Sequence, residues 1–203
     1  MGRDKASLPF GSELMLQRVV RVLGGVVGLQ NLIIVGAPEQ CVPPVPSEVT
    51  VVHDQRGFRG PLQGLATGLR EIGDRFDAVY LTACDVPLLM PAFVERIFQL
   101  LGDYEIAVPV DGERHHSLAA VYRPRVLAKV EALLAADRLR PRFLFDEVRT
   151  REITVDELRD VDPDLDTLKN LNYHEDYIAA LAAAGFGVPV ENPESGETGG
   201  PGL

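Results

Sequence analysis

Cysteine is scarce in this chain: Cys41 and Cys84 are its only two. One precedes a proline-rich loop and the other sits inside an apolar run, with no second pair and no histidine at ligand spacing. That excludes a disulfide framework and a cysteine-based zinc site, and both residues read as reduced thiols. A nucleophilic Cys84 needs a base beside it, which the sequence does not supply, so it reads as a small buried side chain. Basic residues are also short: 20 Lys and Arg face 30 Asp and Glu, a formal net charge of -10. This argues against a nucleic-acid partner held by a broad basic surface, while leaving room for a local basic pocket. No apolar run approaches the roughly 20 residues that span a bilayer, and the amino terminus is charged rather than built as a secretory signal. The expectation is a cytoplasmic protein with no membrane partner. Internal repeats are absent. What remains is 203 residues, 46% hydrophobic and 25% charged, enough for one core and most economically one α/β domain.

The most informative stretch runs from Asp77 to Leu89, where Ala78-Val79-Tyr80-Leu81-Thr82-Ala83-Cys84 is followed by Asp85-Val86-Pro87. A continuous apolar run bounded by turn residues suits a parallel strand covered on both faces, and ligands of open α/β sheets gather at the carboxyl ends of such strands. Asp85 there can hold a hard cation against phosphate oxygens, or it can cap a helix running from about Pro91 to Leu101. Both roles fit the segment.

The rest alternates. An apolar face over Leu14, Leu16, Val19, Val20, Val22 and Leu23 predicts a helix stopping at Gly24-Gly25, and Leu32 to Val35 predicts a buried strand. A loop carries Pro43, Pro44 and Pro46, then a short strand over Val49 to Val52 precedes Asp54, and a helix from about Leu62 to Ile72 follows Arg59-Gly60-Pro61. Such βαβ alternation predicts a mostly parallel sheet. Beyond Asp85 the pattern changes: Glu105 to Pro109 and Leu118 to Tyr122 flank the turn Asp111-Gly112-Glu113-Arg114 and suit a hairpin. A helix over Arg125 to Ala135, an edge strand at Ile153 to Val155 and a last helix over Glu175 to Ala184 complete a single domain of residues 1–187. A disordered tail is expected over 188–203, where Gly, Pro, Glu and Ser dominate.

Several candidates for chemistry stand out. Gly2-Arg3-Asp4-Lys5 sets two cations beside a glycine ahead of the first helix, a composition that suits phosphate, although charged residues near a terminus are usually only solvated. Gly60-Pro61-Leu62 combines a permissive backbone with free amides, and reads equally as a well-formed helix start. His115 and His116 are adjacent, so on a strand at least one points away from any substrate. Asn170 and Asn172 suit turns and caps as readily as ligands. His53 reads as a strand-end residue and the acidic run Asp156 to Asp166 as a solvated loop.

Taken together, Met1-Gly2-Arg3-Asp4-Lys5, Arg59-Gly60-Pro61-Leu62 and Cys84-Asp85-Val86-Pro87 resemble, in order and spacing, the molybdenum cofactor guanylyltransferases and related nucleotidyltransferases. His116-Ser117-Leu118 is similar to that family's His-Pro-Leu strand, and Asn170-Leu171-Asn172-Tyr173-His174-Glu175-Asp176 to its Asn-x-Asn-Thr-Pro-Glu-Asp ending; the resemblance spans residues 1 to about 180. It implies a Rossmann-like nucleotidyltransferase fold with flanking helices and a hairpin-containing acceptor half. It implies transfer of GMP from GTP to molybdopterin with Mg²⁺, releasing pyrophosphate, and contact with molybdoenzymes or their chaperones. On matching positions, Gly2, Arg3 and Lys5 would hold the triphosphate, Asp85 the metal, and Asp54, Gly60, Pro61 and Leu62 the nucleoside. His116, Asn170 and Asn172 would face the acceptor. Phosphoryl transfer asks mainly for alignment and charge neutralisation, so no covalent nucleophile is needed.

Two departures matter. The family places a strand and a loop of the type Leu-Ala-Gly-Gly-x-Ser-x-Arg before Met-Gly-x-Asp-Lys, and this sequence starts at that methionine. The expectation is a native polypeptide longer by roughly 10 to 20 residues, without which the middle of the sheet is left with unpaired backbone groups and uncovered apolar faces. Val35-Gly36-Ala37 resembles the cytidylyltransferase branch, whereas the Gly60 loop and paired asparagines point to GTP. A catalytically silent pterin- or partner-binding module, and a sugar-phosphate nucleotidyltransferase, are the competing readings.

Overall fold

The alternating apolar runs become layers in a computed structural model of the chain, which describes residues 4–55, 57 and 59–187. Gly2, Arg3 and the tail expected over 188–203 lie outside the described residues. A small hairpin of β1 (Pro9–Phe10) and β2 (Glu13–Leu14) leads into α1 (Met15–Val27), followed by β3 (Ile33–Gly36), β4 (Thr50–His53), α2 (Gly60–Ile72), β5 (Val79–Thr82) and α3 (Pro91–Leu100). The second half comprises β6 (Ile106–Asp111), β7 (Arg114–His115), β8 (Ala119–Tyr122), α4 (Leu127–Ala135), the single turn α5 (Arg142–Phe145), β9 (Thr150–Thr154) and α6 (His174–Ala183).

Helices cover both faces of the sheet. Because strand side chains alternate, Ile106, Val108, Ala120 and Tyr122 pack on one face with Leu62, Leu65 and Leu69 of α2 and Val130 and Leu133 of α4. Ala107, Ala119 and Val121 pack on the other with Phe93 and Ile97 of α3. The expected α/β fold and the expected hairpin are both present: β8 runs antiparallel to β6, with Ile106 opposite Tyr122. β8 is also antiparallel to β5, and β9 is parallel to β6 at the sheet edge. β5, β6 and β9 therefore share one direction, and β8 is the long strand that reverses.

α1 does not stop at Gly24-Gly25. It continues to Val27 and ends at Gly28, whose φ of 85° is the left-handed conformation that terminates a helix. Glycine inside a helix costs only about 1 kcal/mol relative to alanine, and Gly24 leaves room for Leu29: a Cβ there would lie 2.5 Å from the Leu29 side chain.

The sheet is split. Among the described residues β3 pairs only with β4, in parallel, and β5 pairs only with β8. Between the facing edges of β3 and β5 lie two apolar cavities, one of about 210 Å³ towards α2 and one of about 330 Å³ towards α1. Every residue of β5 is only half-buried, whereas all four residues of β8 are buried.

Candidate active site

The chain around Lys5 is a single tight turn. Asp4 accepts the Ala6 N–H at 3.2 Å and caps a 3-10 turn over Lys5–Ser7, which aims the Lys5 ammonium at the turn beyond β5. There Lys5 Nζ donates to Asp85 Oδ2 at 2.8 Å and to Asn172 Oδ1 at 2.8 Å. Asn170 Nδ2 donates to the other carboxylate oxygen of Asp85 at 2.9 Å. Four of the expected site residues thus form one polar cluster, although they come from three distant parts of the chain. Asp85 is 8% exposed and carries its charge against one ammonium and one amide.

The helix-cap role for Asp85 is not realised. α3 starts at Pro91 with Met90 as its cap residue, and Met90 N–H donates to the Thr167 hydroxyl at 3.0 Å. The Asp85 turn is fastened from two further sides. Leu171 N–H donates to the Asp85 carbonyl at 3.0 Å, and Arg18 Nε donates to the Pro87 carbonyl at 2.6 Å. The Arg18 guanidinium lies 5.0 Å from the centre of the Phe10 ring and 5.7 Å from that of Phe186.

Asn172 is held by a residue of the same motif to which no role was given. Asp176 accepts the N–H groups of Asn172 at 3.0 Å and Tyr173 at 2.9 Å, anchoring the start of α6. The acidic stretch Asp156 to Asp166, expected as a solvated loop, contains a buried carboxylate: Asp162 is 2% exposed and accepts the N–H groups of Asp166 and Thr167, each at 2.9 Å. A carboxylate that satisfies orphan amides at a turn tolerates burial, and the sequence cue was its position four residues ahead of Asp166-Thr167.

At the neighbouring strand ends, Asp54 follows β4, its N–H on the Gly36 carbonyl and its Oδ1 accepting the Thr67 hydroxyl of α2 at 2.6 Å. His53 is exposed, its Nε2 3.0 Å from the Gln40 carbonyl. Gly60 has φ 68° and opens α2, with Pro61 in the first turn. Leu62 is 1% exposed and packs in the core, so only its backbone can meet a ligand. Arg59 ties the start of α2 to the Leu134 carbonyl. Gln40 Nε2 donates to Asp4 Oδ1 at 3.3 Å, so residues 4 and 5 bridge the carboxyl ends of β3 and β5.

His115 and His116 both line a pocket of about 110 Å³ together with Val86, Ser117, Thr167 and Asn170, next to the Asp85 cluster. His115 pairs with Glu152 at 2.7 Å and lies 5.1 Å from the Phe145 ring, and no such partner holds His116. Its Nε2 is buried without a hydrogen-bond partner, and burial, followed by the charge of Arg114, lowers its pKa, favouring the neutral ring. Cys84 is pushed up to about 11, first by burial and then by the Asp85 charge, which keeps it a thiol.

Among the described residues no group of three or more His, Cys, Asp or Glu converges on one point. A lone carboxylate held by one ammonium and one amide does not make an all-protein cage. It suits a cation that binds through one or two carboxylates and completes its shell with water and substrate phosphate, as Mg²⁺ does.

Residues 1–152 match the model of the MobA-like NTP transferase domain. A probable molybdenum cofactor guanylyltransferase of Mycolicibacterium paratuberculosis is 32% identical over 191 residues, covering 91% of this chain and 89% of its own. The molybdenum cofactor guanylyltransferase of Desulfosudis oleivorans is 35% identical over 127 residues, 62% of each chain. Among solved structures, molybdopterin-guanine dinucleotide biosynthesis protein A of Archaeoglobus fulgidus superposes with a TM-score of 0.72 at 15% identity, covering 91% of this chain and 92% of that one. The 2-C-methyl-D-erythritol 4-phosphate cytidylyltransferase of Thermus thermophilus does so at 0.65 and 14%, covering 89% and 93%.

Proposed function

The chain belongs to the MobA-like NTP transferase family of nucleotidyltransferases, and from that premise we propose that it transfers GMP from GTP to molybdopterin. The products are the guanine dinucleotide cofactor and pyrophosphate. One observation carries the reading: a lysine near the start of the sequence, a carboxylate from its middle and two asparagines from its last third meet within hydrogen-bond distance at the carboxyl ends of the strands, where α/β sheets bind their ligands.

The chemistry follows from exchange of partners. An oxygen of the acceptor's terminal phosphate attacks the α-phosphorus of GTP, and the bond to pyrophosphate breaks. Two polyanions must approach each other, so the site has to neutralise charge and fix direction. Lys5 is the cation available for this, and moving its ammonium from Asp85 to a phosphate oxygen frees the carboxylate. Asp85 would then hold Mg²⁺, which supplies further charge neutralisation when bound. Asp54, pinned by Thr67, and the amides of the Gly60 turn would face the nucleoside. Asn170, Asn172 and the neutral His116 would face the acceptor phosphate and pterin, with His116 able to donate or accept through its unpartnered Nε2. Molybdoenzymes or their chaperones are the partners to which a labile pterin product would pass.

Calorimetric titration with GTP and CTP, each with and without Mg²⁺, tests the nucleotide. The expected result is Mg²⁺-dependent GTP binding. Tighter binding of CTP would move the assignment to cytidylyl transfer, and no binding of either would leave a silent binding module. Pyrophosphate release with molybdopterin against a sugar phosphate tests the acceptor.

A further inference from the structure

Basic and hydroxyl side chains gather where the hairpin between β6 and β8 faces the segment ahead of α6. The pocket of about 110 Å³ beside Asp85 is lined on the hairpin side by Arg114, His115, His116 and Ser117, and on the other by Thr167 and Asn170. Among the described residues no Asp or Glu lines it, although acidic residues outnumber basic ones by 30 to 20 in the whole chain. A hard cation finds no anionic ligand there. Side chains that can donate, one of them a guanidinium, suit a small oxyanion instead.

Both walls are set by bonds of their own. On the hairpin side His116 N–H donates to the Pro109 carbonyl at 2.9 Å, Ala119 N–H to the His116 carbonyl at 2.9 Å, and the Tyr122 hydroxyl to the Ser117 carbonyl at 2.8 Å. On the other side buried Asp162 accepts the Thr167 N–H at 2.9 Å, and Thr167, 1% exposed, accepts the Met90 N–H through its hydroxyl at 3.0 Å. A hydroxyl has one proton besides its lone pairs, so Thr167 can still donate. His115 commits its Nε2 to Glu152, whereas the Nε2 of His116 is buried without a partner. Arg114 supplies the charge. It is exposed, its charge is felt at the His116 ring, and among the described residues it forms no ion pair, not even with Asp111 opposite it in the hairpin.

We propose that this pocket seats the acceptor's terminal phosphate, a phosphomonoester gripped by the Arg114 guanidinium from the hairpin and by the Thr167 hydroxyl from the opposite wall. The identity of the anion rests on the transfer reading above, in which Arg114, Ser117 and Thr167 have no part. A phosphomonoester carries a charge of about −1.5 to −2 near neutral pH and strong acceptor oxygens, which one guanidinium and several neutral donors match. Asn170 lines the pocket and donates to Asp85 Oδ1, whereas Lys5 holds Oδ2. The seat and the ammonium thus approach different oxygens of one carboxylate. Two mutually repelling phosphates are then held by separate cations, the acceptor's by Arg114 and the triphosphate by Lys5.

Methyl phosphate titrated into the protein, followed by NMR at the ring protons of His116, tests the seat. The expected result is a saturable shift, with affinity lowered about tenfold or more in Arg114→Met, a change at an exposed position that leaves the fold intact. Thr167→Val should also weaken binding, and Thr167→Ser, which keeps the hydroxyl, should retain it. No shift at His116, or equal affinity in the parent and Arg114→Met, would overturn the proposal. In turnover, Arg114→Met should raise KM for molybdopterin about tenfold and leave KM for GTP unchanged; a raised KM for GTP instead overturns the proposal by assigning Arg114 to the triphosphate. Calorimetry with GTP separates this seat from the reading it rests on. GTP binding without methyl phosphate binding removes the seat alone, whereas methyl phosphate binding at His116 without GTP binding supports the seat and removes the transfer reading.

Discussion

Replacing Asp85 with asparagine separates what the carboxylate does for the fold from what it does for the reaction. Asparagine keeps the shape: its oxygen can still accept from Lys5 Nζ, at 2.8 Å in the parent, if its amide group turns towards Asn170. Asn170 donates to Asp85 Oδ1 at 2.9 Å, so it would have to rotate its own amide and present oxygen instead. One charge-assisted bond becomes a neutral one and a second is exchanged. The Asp85 and Lys5 side chains are 12% and 29% exposed, so the loss in stability should be about 1–2 kcal/mol. For a domain of this size that is a fall in Tm of roughly 2–8 °C. The reaction should suffer far more, because the amide carries no net charge with which to hold a divalent cation against phosphate. Loss of such a group typically costs about 10³-fold in turnover, or about 4 kcal/mol. Pyrophosphate release and thermal unfolding, measured on the same preparation, give both numbers. Turnover within tenfold of the parent at a similar Tm would refute the reasoning, and so would a collapse of the fold that makes the carboxylate chiefly structural.

Three further outcomes follow from the same geometry. Arg18→Met removes the donor to the Pro87 carbonyl but keeps much of the contact with Phe10 and Phe186; turnover should drop about tenfold or more while nucleotide affinity measured by calorimetry changes little. Thr67→Val strips the hydroxyl from Asp54 and frees that carboxylate, so GTP should bind several-fold more weakly with a change in denaturation midpoint worth about 1–3 kcal/mol. Burial lowers the pKa of His116, so the unfolded chain binds a proton more readily there. Its contribution to stability is full above the ordinary histidine value of about 6.5 and is lost as pH falls through the lowered folded value. Urea denaturation of the parent and of His116→Gln between pH 8 and pH 5, on the order of three units around that value, should show a shallower loss in the variant.

The strand before Asp85 was legible as an uninterrupted apolar run with an acidic end, although β5 is half-buried rather than covered on both faces and its partner β8 is antiparallel. Gly24-Gly25 misled for a physical reason: glycine ends a helix where the backbone turns left-handed, which happens at Gly28, not wherever glycine occurs. Asp162 was hidden among its neighbours, since an acidic run looks solvated until one member is seen to hold two amides. Lys5 was suggested by its place among the charged residues ahead of the first helix and by resemblance, and the acceptor-facing role of Asn170 and Asn172 by resemblance alone. No periodicity could join residue 5 to residue 172, because that contact depends on how the chain is wound, not on its local pattern. His115 and His116 differ in their partners, Glu152 for the first and none for the Nε2 of the second, which adjacency in the sequence could not show.

The bonds from Leu171 N–H to the Asp85 carbonyl and from Met90 N–H to the Thr167 hydroxyl mean that the last third of the polypeptide is stitched into the wall of the candidate site. Cutting the chain anywhere between β9 and α6 would not trim an appendage. It would let go of the carboxylate proposed to hold the metal, so protease nicking in that span and loss of turnover should advance at the same pace.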